Sequence, residues 1–395
     1  MKRFFLTILL AIILFAPLGA KEGTGWRFIF ADLDQHPEIL VGFCPSYVML
    51  GAGYDFNPSS SSSELQVLVG GGYMQRRLWQ DPVDGSTIHP SVKSEVNDEA
   101  VTYDFAEVDF QLRFVQGFFD DMLTLQAGAN LRYETNMDNL FVGKNSSYGM
   151  FHTLDYYLGK NYSGAVYPDL AGNHQFLGTS FDLEFQFNMM DDNIVYNQGV
   201  TVNLFASYAP RALNSALDGF ADYYTLQLNA VGAVTLYELK SAGQTWLSIV
   251  LIDRFNVSWT DGSAVPVYAQ ESVSLGRRVR GYSKFSYNTQ LTMVNNLDIR
   301  FAGPGLGLNW LRPRINVFFD IGYGAGSYFN TQKGASCEYT NGNFNLLMST
   351  GAQFTITVAD MIDLGYEIAY IIGNGSKLQD PGNRFVGAFT FFLDF

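Results

Sequence analysis

Three arginines stand close together in the segment GRRVRGY, residues 276–282, of a chain whose formal net charge is −14. A guanidinium group stays charged at every physiological pH and presents a fork of N–H donors, so it binds carboxylates in a bidentate way. A suitable carboxylate occurs further along the chain, at Asp320 in the stretch FFDIGY, residues 318–323. We therefore expect Arg280 to bind Asp320, provided that the surrounding elements bring them together.

The segments around these residues alternate between apolar and polar side chains, which is typical of β-strands. Every second residue is apolar in 106–114, 123–133 and 181–189, with polar or small residues between them, and the pattern returns in 200–208 and 226–236. Runs of about nine to twelve residues match tilted strands that cross a membrane. The strands of a soluble β-sandwich, the alternative, are usually about five to six residues long.

The composition favours a membrane protein without membrane helices. Hydrophobic residues make up 47% of the chain and charged residues only 16%, which is few for a soluble secreted domain. After the N-terminus, no stretch approaches the roughly 20 apolar residues of a spanning helix. In a closed β-barrel, backbone groups bond between strands and only alternate side chains face lipid. The sequence therefore predicts an all-β fold, a transmembrane antiparallel β-barrel.

The N-terminus has the features of a secretory signal peptide over residues 1–20. Lys2 and Arg3 precede an apolar run from Phe4 to Phe15, and small residues follow up to Ala20. A membrane anchor is the alternative, but the run is short for a helix that spans a bilayer. We expect residues 21–395 to form a single barrel domain in the outer membrane of a diderm bacterium.

Connection lengths set the topology of the predicted barrel. Thirteen strands are predicted from about Tyr47 to the end and one more near residues 26–33, fourteen in all. Short connections near 117–121 and 359–361 alternate with long ones such as 135–177 and 260–286. Outer-membrane barrels have short periplasmic turns and long external loops. The segment 260–286, which contains GRRVRGY, is therefore expected to be an external loop, with five strands after it.

Alternation also predicts the orientation of the strand 312–325. Its lipid-facing side chains are expected to be Ile315, Val317, Phe319, Ile321 and Tyr323. Its lumen-facing residues are then Asn316, Phe318, Asp320 and Gly322. Asp320 would meet Arg280 if the external loop folds into the lumen, where such a pair is stronger than at a surface.

The last strand carries a candidate insertion signal. Phe391, Leu393 and the C-terminal Phe395 share one parity of an amphipathic strand. This end resembles the signal by which bacterial outer-membrane barrels are recognised, and it implies the barrel-assembly machinery as a partner during biogenesis. An ordinary apolar last strand is the alternative.

Two motifs carry a family resemblance. Val279, Arg280, Gly281 and Tyr282 resemble the VRGF/Y motif in the sixth external loop of the BamA-type superfamily, which includes the outer-membrane assembly factor and the two-partner secretion transporters. Phe318, Asp320 and Gly322 resemble the F-x-D-x-G motif on the strand that receives that loop. The resemblance covers roughly residues 245–395 and implies a sixteen-stranded barrel with the loop in its lumen. Members usually carry periplasmic POTRA domains, for which we see no room between Ala20 and the first strands.

Other chemistry finds little support in the sequence. The four histidines, His36, His89, His152 and His174, fall in predicted loops without the spacing of a metal site or a hydrolase. The chain has two cysteines, Cys44 and Cys337, and a disulfide between them is an alternative that the sequence allows. We expect no enzyme activity, no cofactor and no metal, and the acidic balance argues against nucleic acid as a partner.

Function is expected to follow the resemblance. The favoured hypothesis is a barrel without POTRA domains that assists insertion, translocation or organisation of outer-membrane components. Its partners would be outer-membrane lipids and periplasmic proteins or lipoproteins. A passive channel or porin plugged by its own loop is the main alternative. A barrel-borne enzyme and a structural or adhesive barrel are the remaining ones.

Overall fold

The computed structural model describes residues 26–30, 46–56, 62–78, 101–137, 175–191, 198–217, 219–241, 244–266, 268–269, 275, 278–282, 290–303, 311–325, 346–358, 362–372 and 384–393. The predicted signal peptide lies outside this part of the chain, as do all four histidines and both cysteines.

The described residues form fourteen β-strands. They are β1 (Trp26–Phe30), β2 (Ser46–Asp55), β3 (Ser63–Leu78), β4 (Val101–Phe118), β5 (Leu123–Met137), β6 (Gln175–Asn188), β7 (Gly199–Ala209), β8 (Asp222–Ser241), β9 (Gln244–Ala264), β10 (Leu291–Ala302), β11 (Leu311–Ala325), β12 (Leu346–Val358), β13 (Ile362–Ile372) and β14 (Phe385–Leu393). A short 3-10 helix, Arg211–Leu213, lies between β7 and β8.

The strands make one sheet in which each strand pairs with its neighbours in the chain, from β1 to β14. The ladders are antiparallel throughout, as the short connections require. The fourteen strands predicted from the alternation are all present among the described residues, whereas the sixteen that the resemblance implies are not found there. The described residues also show no ladder between β1 and β14.

The two faces of the sheet differ in chemistry as predicted. On β4, Phe110 and Phe114 are exposed on the outer face, while Glu107 and Asp109 are buried on the inner face. On β11, Ile315, Val317 and Phe319 point outward, and Phe318 and Asp320 point inward and are buried. A shift of register by one residue would move every such charge into lipid, at about 2–4 kcal/mol each for Arg or Lys near the midplane and less for Asp or Glu.

The connection between β9 and β10, residues 265–290, is hereafter called the lumen loop, and its described residues around Tyr268 and Arg280 lie against the inner face. Tyr268 contacts β5 and β6, and Arg280 contacts β10 and β11. The sheet therefore curls around this loop, and the fold is a transmembrane antiparallel β-barrel with a loop in its lumen. Within the described residues, no helix combines the length and the hydropathy needed to cross a bilayer.

Candidate functional site

The structure brings Arg280 and Asp320 together inside the barrel. Arg280 donates from Nε to Asp320 Oδ2 at 2.8 Å and from Nη2 to Asp320 Oδ1 at 2.6 Å, which is a bidentate pair. The backbone N–H of Arg280 also donates to Asp320 Oδ2, at 2.9 Å. Asp320 is fully buried and the Arg280 side chain is 20% exposed, so water and salt screen this pair less than they screen a surface ion pair.

A second aspartate shares the same guanidinium group. Asp298 on β10 accepts a hydrogen bond from Arg280 Nη2 at 2.6 Å and also pairs with Arg254 of β9. Two arginines and two aspartates thus form a chain across β9, β10 and β11. Arg280 also lies over the ring of Phe318, with its guanidinium carbon 3.8 Å from the ring centroid.

The electrostatics keep Arg280 charged although little water reaches it. Burial alone lowers the pKa of Arg280, but the hydrogen bond to Asp320 and the charges of Asp298 and Asp320 raise it above the ordinary value. The permanent cation therefore matches the carboxylates around it and cannot be switched by pH in the physiological range.

Apolar and phenolic contacts fix the rest of the motif. Val279 and Tyr282 are buried in a cluster with Leu275 of the same loop and with wall residues of β10, β12 and β13, namely Val294, Leu347 and Ile371. The Tyr282 hydroxyl donates to the carbonyl oxygen of Met348 at 3.0 Å and receives the Met348 N–H at 3.3 Å. Burial raises the pKa of Tyr282 to about 12, and the bond with the Met348 backbone opposes part of that rise.

Two glycines of the motifs are required by space and backbone geometry. Gly281 has φ +87°, in the left-handed region, and a Cβ there would lie 2.8 Å from Ala369 Cβ. Gly322 on β11 lies directly below the loop, where a Cβ would come within 2.9 Å of Leu275 Cδ1. The loop backbone can therefore approach the wall only because both positions lack a side chain.

The opposite end of the lumen loop contacts the other side of the barrel. Tyr268 packs on Phe176 of β6 with ring centroids 5.8 Å apart, and its hydroxyl lies 3.3 Å from that of Tyr223 on β8. The guanidinium carbon of Arg132 on β5 lies 4.5 Å from the centroid of the Tyr268 ring. Burial raises the pKa of Tyr268 well above its ordinary value, so its hydroxyl stays neutral.

Arg132 is itself held by two wall carboxylates. It pairs with Glu107 of β4 and, through Nε at 2.5 Å, with Glu134 of β5, and both carboxylates are almost fully buried. The lumen loop is thus held at both ends by an arginine that binds two carboxylates and stacks on an aromatic ring. At one end the loop supplies the arginine, and at the other it supplies the ring.

Sequence reasoning identified only part of this site. It placed Val279, Arg280, Gly281, Tyr282, Phe318, Asp320 and Gly322, which the structure brings together, but it missed Asp298, Arg254 and the whole contact around Tyr268. The alternation of its strand places Asp298 on the inner face, and this pattern could have identified it as a second carboxylate in the lumen. Phe391 and Leu393 lie in β14, but their side chains, like the whole of Phe395, lie outside the described part of the chain. The described residues contain no group of His, Cys, Asp and Glu suited to a metal ion.

No protein-family profile matches the chain. No curated protein matches it either. Among solved structures, the chain is similar to the crystal structure of BamA from Haemophilus ducreyi lacking POTRA domains 1–3, at 14% sequence identity and a TM-score of 0.46, over 88% of this chain and 68% of that one.

Proposed function

We propose that the protein is an outer-membrane barrel of the BamA-type superfamily that assists insertion, translocation or organisation of outer-membrane components together with partner proteins. The observation that carries the proposal is the bidentate pair between Arg280 and the buried Asp320, which fixes the lumen loop against the wall. A loop held this firmly supports a barrel that works through its wall and partners rather than through an open pore.

The proposed latch consists of the two motifs and their neighbours. Val279, Arg280, Gly281 and Tyr282 supply the loop side, and Phe318, Asp320 and Gly322 supply the wall. Tyr268 holds the other end of the loop near Arg132. The contacts of Arg280 and of Tyr268 lie on different parts of the wall. The loop therefore links these parts of the wall across the lumen.

The partners of the proposed function are of three kinds. Outer-membrane lipids surround the apolar outer face, and periplasmic proteins or lipoproteins would approach the end with the short connections. The barrel-assembly machinery would insert the chain during biogenesis, with Phe391, Leu393 and Phe395 as the proposed insertion signal.

Depletion of the protein in its native cell tests this proposal. We expect the level of one or more outer-membrane components to fall, and we expect Arg280→Ala to restore that level less well than the unmodified gene. Arg211→Ala is the matched control, because Arg211 stacks on Phe220 in the segment between β7 and β8, away from the latch. Unchanged outer-membrane composition after complete depletion would contradict the proposal.

A plugged channel is the second candidate, and the polar inner face favours it. Asp182 and Glu184 on β6 face the lumen, where they accept hydrogen bonds from Ser207 and Gln126. Planar-bilayer recordings separate the two functions. An unmodified barrel that stays closed and conducts only in Arg280→Ala and Tyr268→Ala is expected if the loop is a fixed part of an assembly barrel. Conductance of the unmodified protein, in openings during which the loop leaves the lumen, would favour the channel.

A further inference from the structure

A polar pair interrupts the outer face of the barrel. Asp253 on β9 is exposed and accepts a hydrogen bond from Asn295 Nδ2 of β10 at 2.6 Å. Both residues have the outward parity, since their chain neighbours Arg254 and Asn296 contact groups inside the barrel. A carboxylate and an amide therefore face the lipid.

This pair lies near the middle of the membrane span. Asp253 is paired in register with Leu297, the seventh of the twelve residues of β10. Exposed apolar side chains lie on both sides of it along the barrel axis, with Phe255 and Met293 towards one end and Ile299 and Phe301 towards the other. The other outward residues of β9 from 247 to 259, and of β10 from 291 to 301, are all apolar.

A polar pair at this depth is unfavourable unless something covers it. Hydrocarbon offers no hydrogen bonds, and ionisable residues within a membrane usually mark a contact with protein or an enclosed site. The bond between Asn295 and Asp253 uses one amide hydrogen and one carboxylate oxygen. The second amide hydrogen and the second carboxylate oxygen keep their capacity to bond.

The surface next to Asp253 is shaped for close approach. Gly232 on β8 is its register partner on the other side, and no heavy atom lies within 4 Å of where a Cβ on Gly232 would stand. Ala230, the next outward residue of β8, is also small. Gly232 and Ala230 therefore leave a notch in the outer surface. Small residues allow the backbones of two membrane-embedded surfaces to meet, so this notch suits a protein surface better than lipid tails.

We propose that Asp253, Asn295 and the notch at Gly232 form a dimer contact with a second copy of the same barrel. The pair carries both a donor and an acceptor, so it is complementary to itself, as an interface with two-fold symmetry requires. Across the two-fold axis, the free amide hydrogen of each Asn295 donates to the free oxygen of the other copy's Asp253. The two carboxylates stay apart because each faces an amide. This inference does not depend on the proposed function.

The first test measures dimerisation of the purified full-length barrel in phosphatidylcholine vesicles, by single-molecule photobleaching over a series of protein-to-lipid ratios. We expect dimers for the unmodified protein, and at least a tenfold weaker dimer for Asp253→Leu, Asn295→Leu and Gly232→Leu. Ile299→Ala, on the same wall, should leave dimerisation unchanged. All variants should keep the heat-modifiable mobility of a folded barrel, because each change lies on the outer face of the sheet.

A second test needs no change to the polar pair. With Cys44 and Cys337 replaced by serine, Gly232→Cys should give a disulfide-linked dimer on oxidation, and Leu125→Cys on β5 should not. A monomer at every lipid ratio would overturn the proposal, as would dimers that are indifferent to the three leucine variants or equal cross-linking at positions 232 and 125. A monomeric barrel that is cross-linked through position 232 to a different protein in native membranes would also overturn it, in favour of a partner with a cationic side chain.

Discussion

Arg280 binds two aspartates that are not equivalent. All three hydrogen bonds described for Asp320 come from Arg280, whereas Asp298 also pairs with Arg254. Loss of the guanidinium group would leave Asp320 buried without a counter-charge, and Asp298 would keep one. At the residue scale, the strength of the latch therefore depends mainly on the pair between Arg280 and Asp320.

This asymmetry predicts an order of stabilities. Asp320→Asn should lower the free energy of unfolding by about 3–5 kcal/mol, the range for breaking a buried ion pair. Asp298→Asn should cost about 1–3 kcal/mol, because Asp298 accepts one hydrogen bond from Arg280 whereas Asp320 accepts three. The measurement is urea unfolding of the barrel in detergent. The double variant Arg280→Ala with Asp320→Asn should have nearly the same free energy of unfolding as Arg280→Ala alone, because the two substitutions remove the same interaction. Equal losses from the two asparagine variants, or strict additivity, would contradict the geometry.

Tyr282 predicts a loss of stability at high pH. The pKa of Tyr282 is raised to about 12 in the folded protein and is about 10 in an unfolded chain. Between these values the unfolded chain releases the proton first, so the stabilisation is present below pH 10 and declines up to pH 12, by roughly 1–3 kcal/mol. Tyr282→Phe should show a shallower decline than the unmodified protein when unfolding is measured from pH 9 to 12. Parallel curves for the two proteins would disprove this role.

At the scale of elements, the lumen loop acts as one structural element with two fixed ends. Its first part is held by Tyr268 against β5, β6 and β8, and its second part by Arg280 and Tyr282 against β10 to β12. Side chains from distant parts of the wall therefore converge on a single connection. The turn at Gly281 allows the second part to lie flat on the wall.

Gly281→Ala should loosen this element. A side chain in the left-handed conformation costs about 1–2 kcal/mol, and the added methyl group would also press on Ala369. We expect a lower free energy of unfolding and faster proteolysis within the loop. Gly303→Ala is the matched control, because nothing lies within 4 Å of a Cβ at that position. Ala369→Gly should restore part of the loss by removing the contact. Equal effects of the two alanine variants would show that the turn does not require glycine.

At the scale of the whole molecule, the sheet has an apolar outer face and a polar inner face. The alternation of long and short connections predicts that the loops at the two ends lie on opposite sides of the membrane. The segment between β7 and β8 and the lumen loop would then belong to the outer side. The turn between β8 and β9 would belong to the inner side.

Cysteine labelling in intact cells tests this orientation. With both native cysteines replaced, Leu217→Cys, between β7 and β8, should react with a membrane-impermeant maleimide. Lys240→Cys, at the opposite end, should react only after the outer membrane is permeabilised. Both side chains are exposed, so the difference reports sidedness and not burial. If Lys240→Cys alone is labelled in intact cells, the barrel has the opposite orientation to the one predicted.

Export of the whole molecule should depend on its C-terminus. Phe395→Asp should reduce the amount of folded barrel in the outer membrane several-fold and leave processed chain in the periplasm. Phe395→Tyr, which keeps the terminal aromatic ring, is the control and should insert normally. Membrane fractionation and heat-modifiable mobility measure the result. Normal insertion of Phe395→Asp would show that this end is not an insertion signal.

Local patterns in the sequence determined the strands, their outward and inward faces and the lumen position of Asp320. These follow from the period of two along each strand, which depends only on residues close in the chain. The pairing of Arg280 with Asp320 was predictable because the motifs at 279–282 and 318–322, together with the predicted topology, placed both residues in the lumen.

Only the tertiary structure decided which other side chains meet the lumen loop. Tyr268 lies 136 residues from Arg132 and 92 from Phe176 (268 − 132 and 268 − 176), and no periodicity connects positions so far apart. Asp298 joins the latch because the register of β9, β10 and β11 pairs Asn296, two residues before it, with both Arg254 and Asp320, and register also places Asp253 near Asn295. Such contacts depend on how the sheet curls and on the path of the loop inside it, and both arise from packing across the whole barrel.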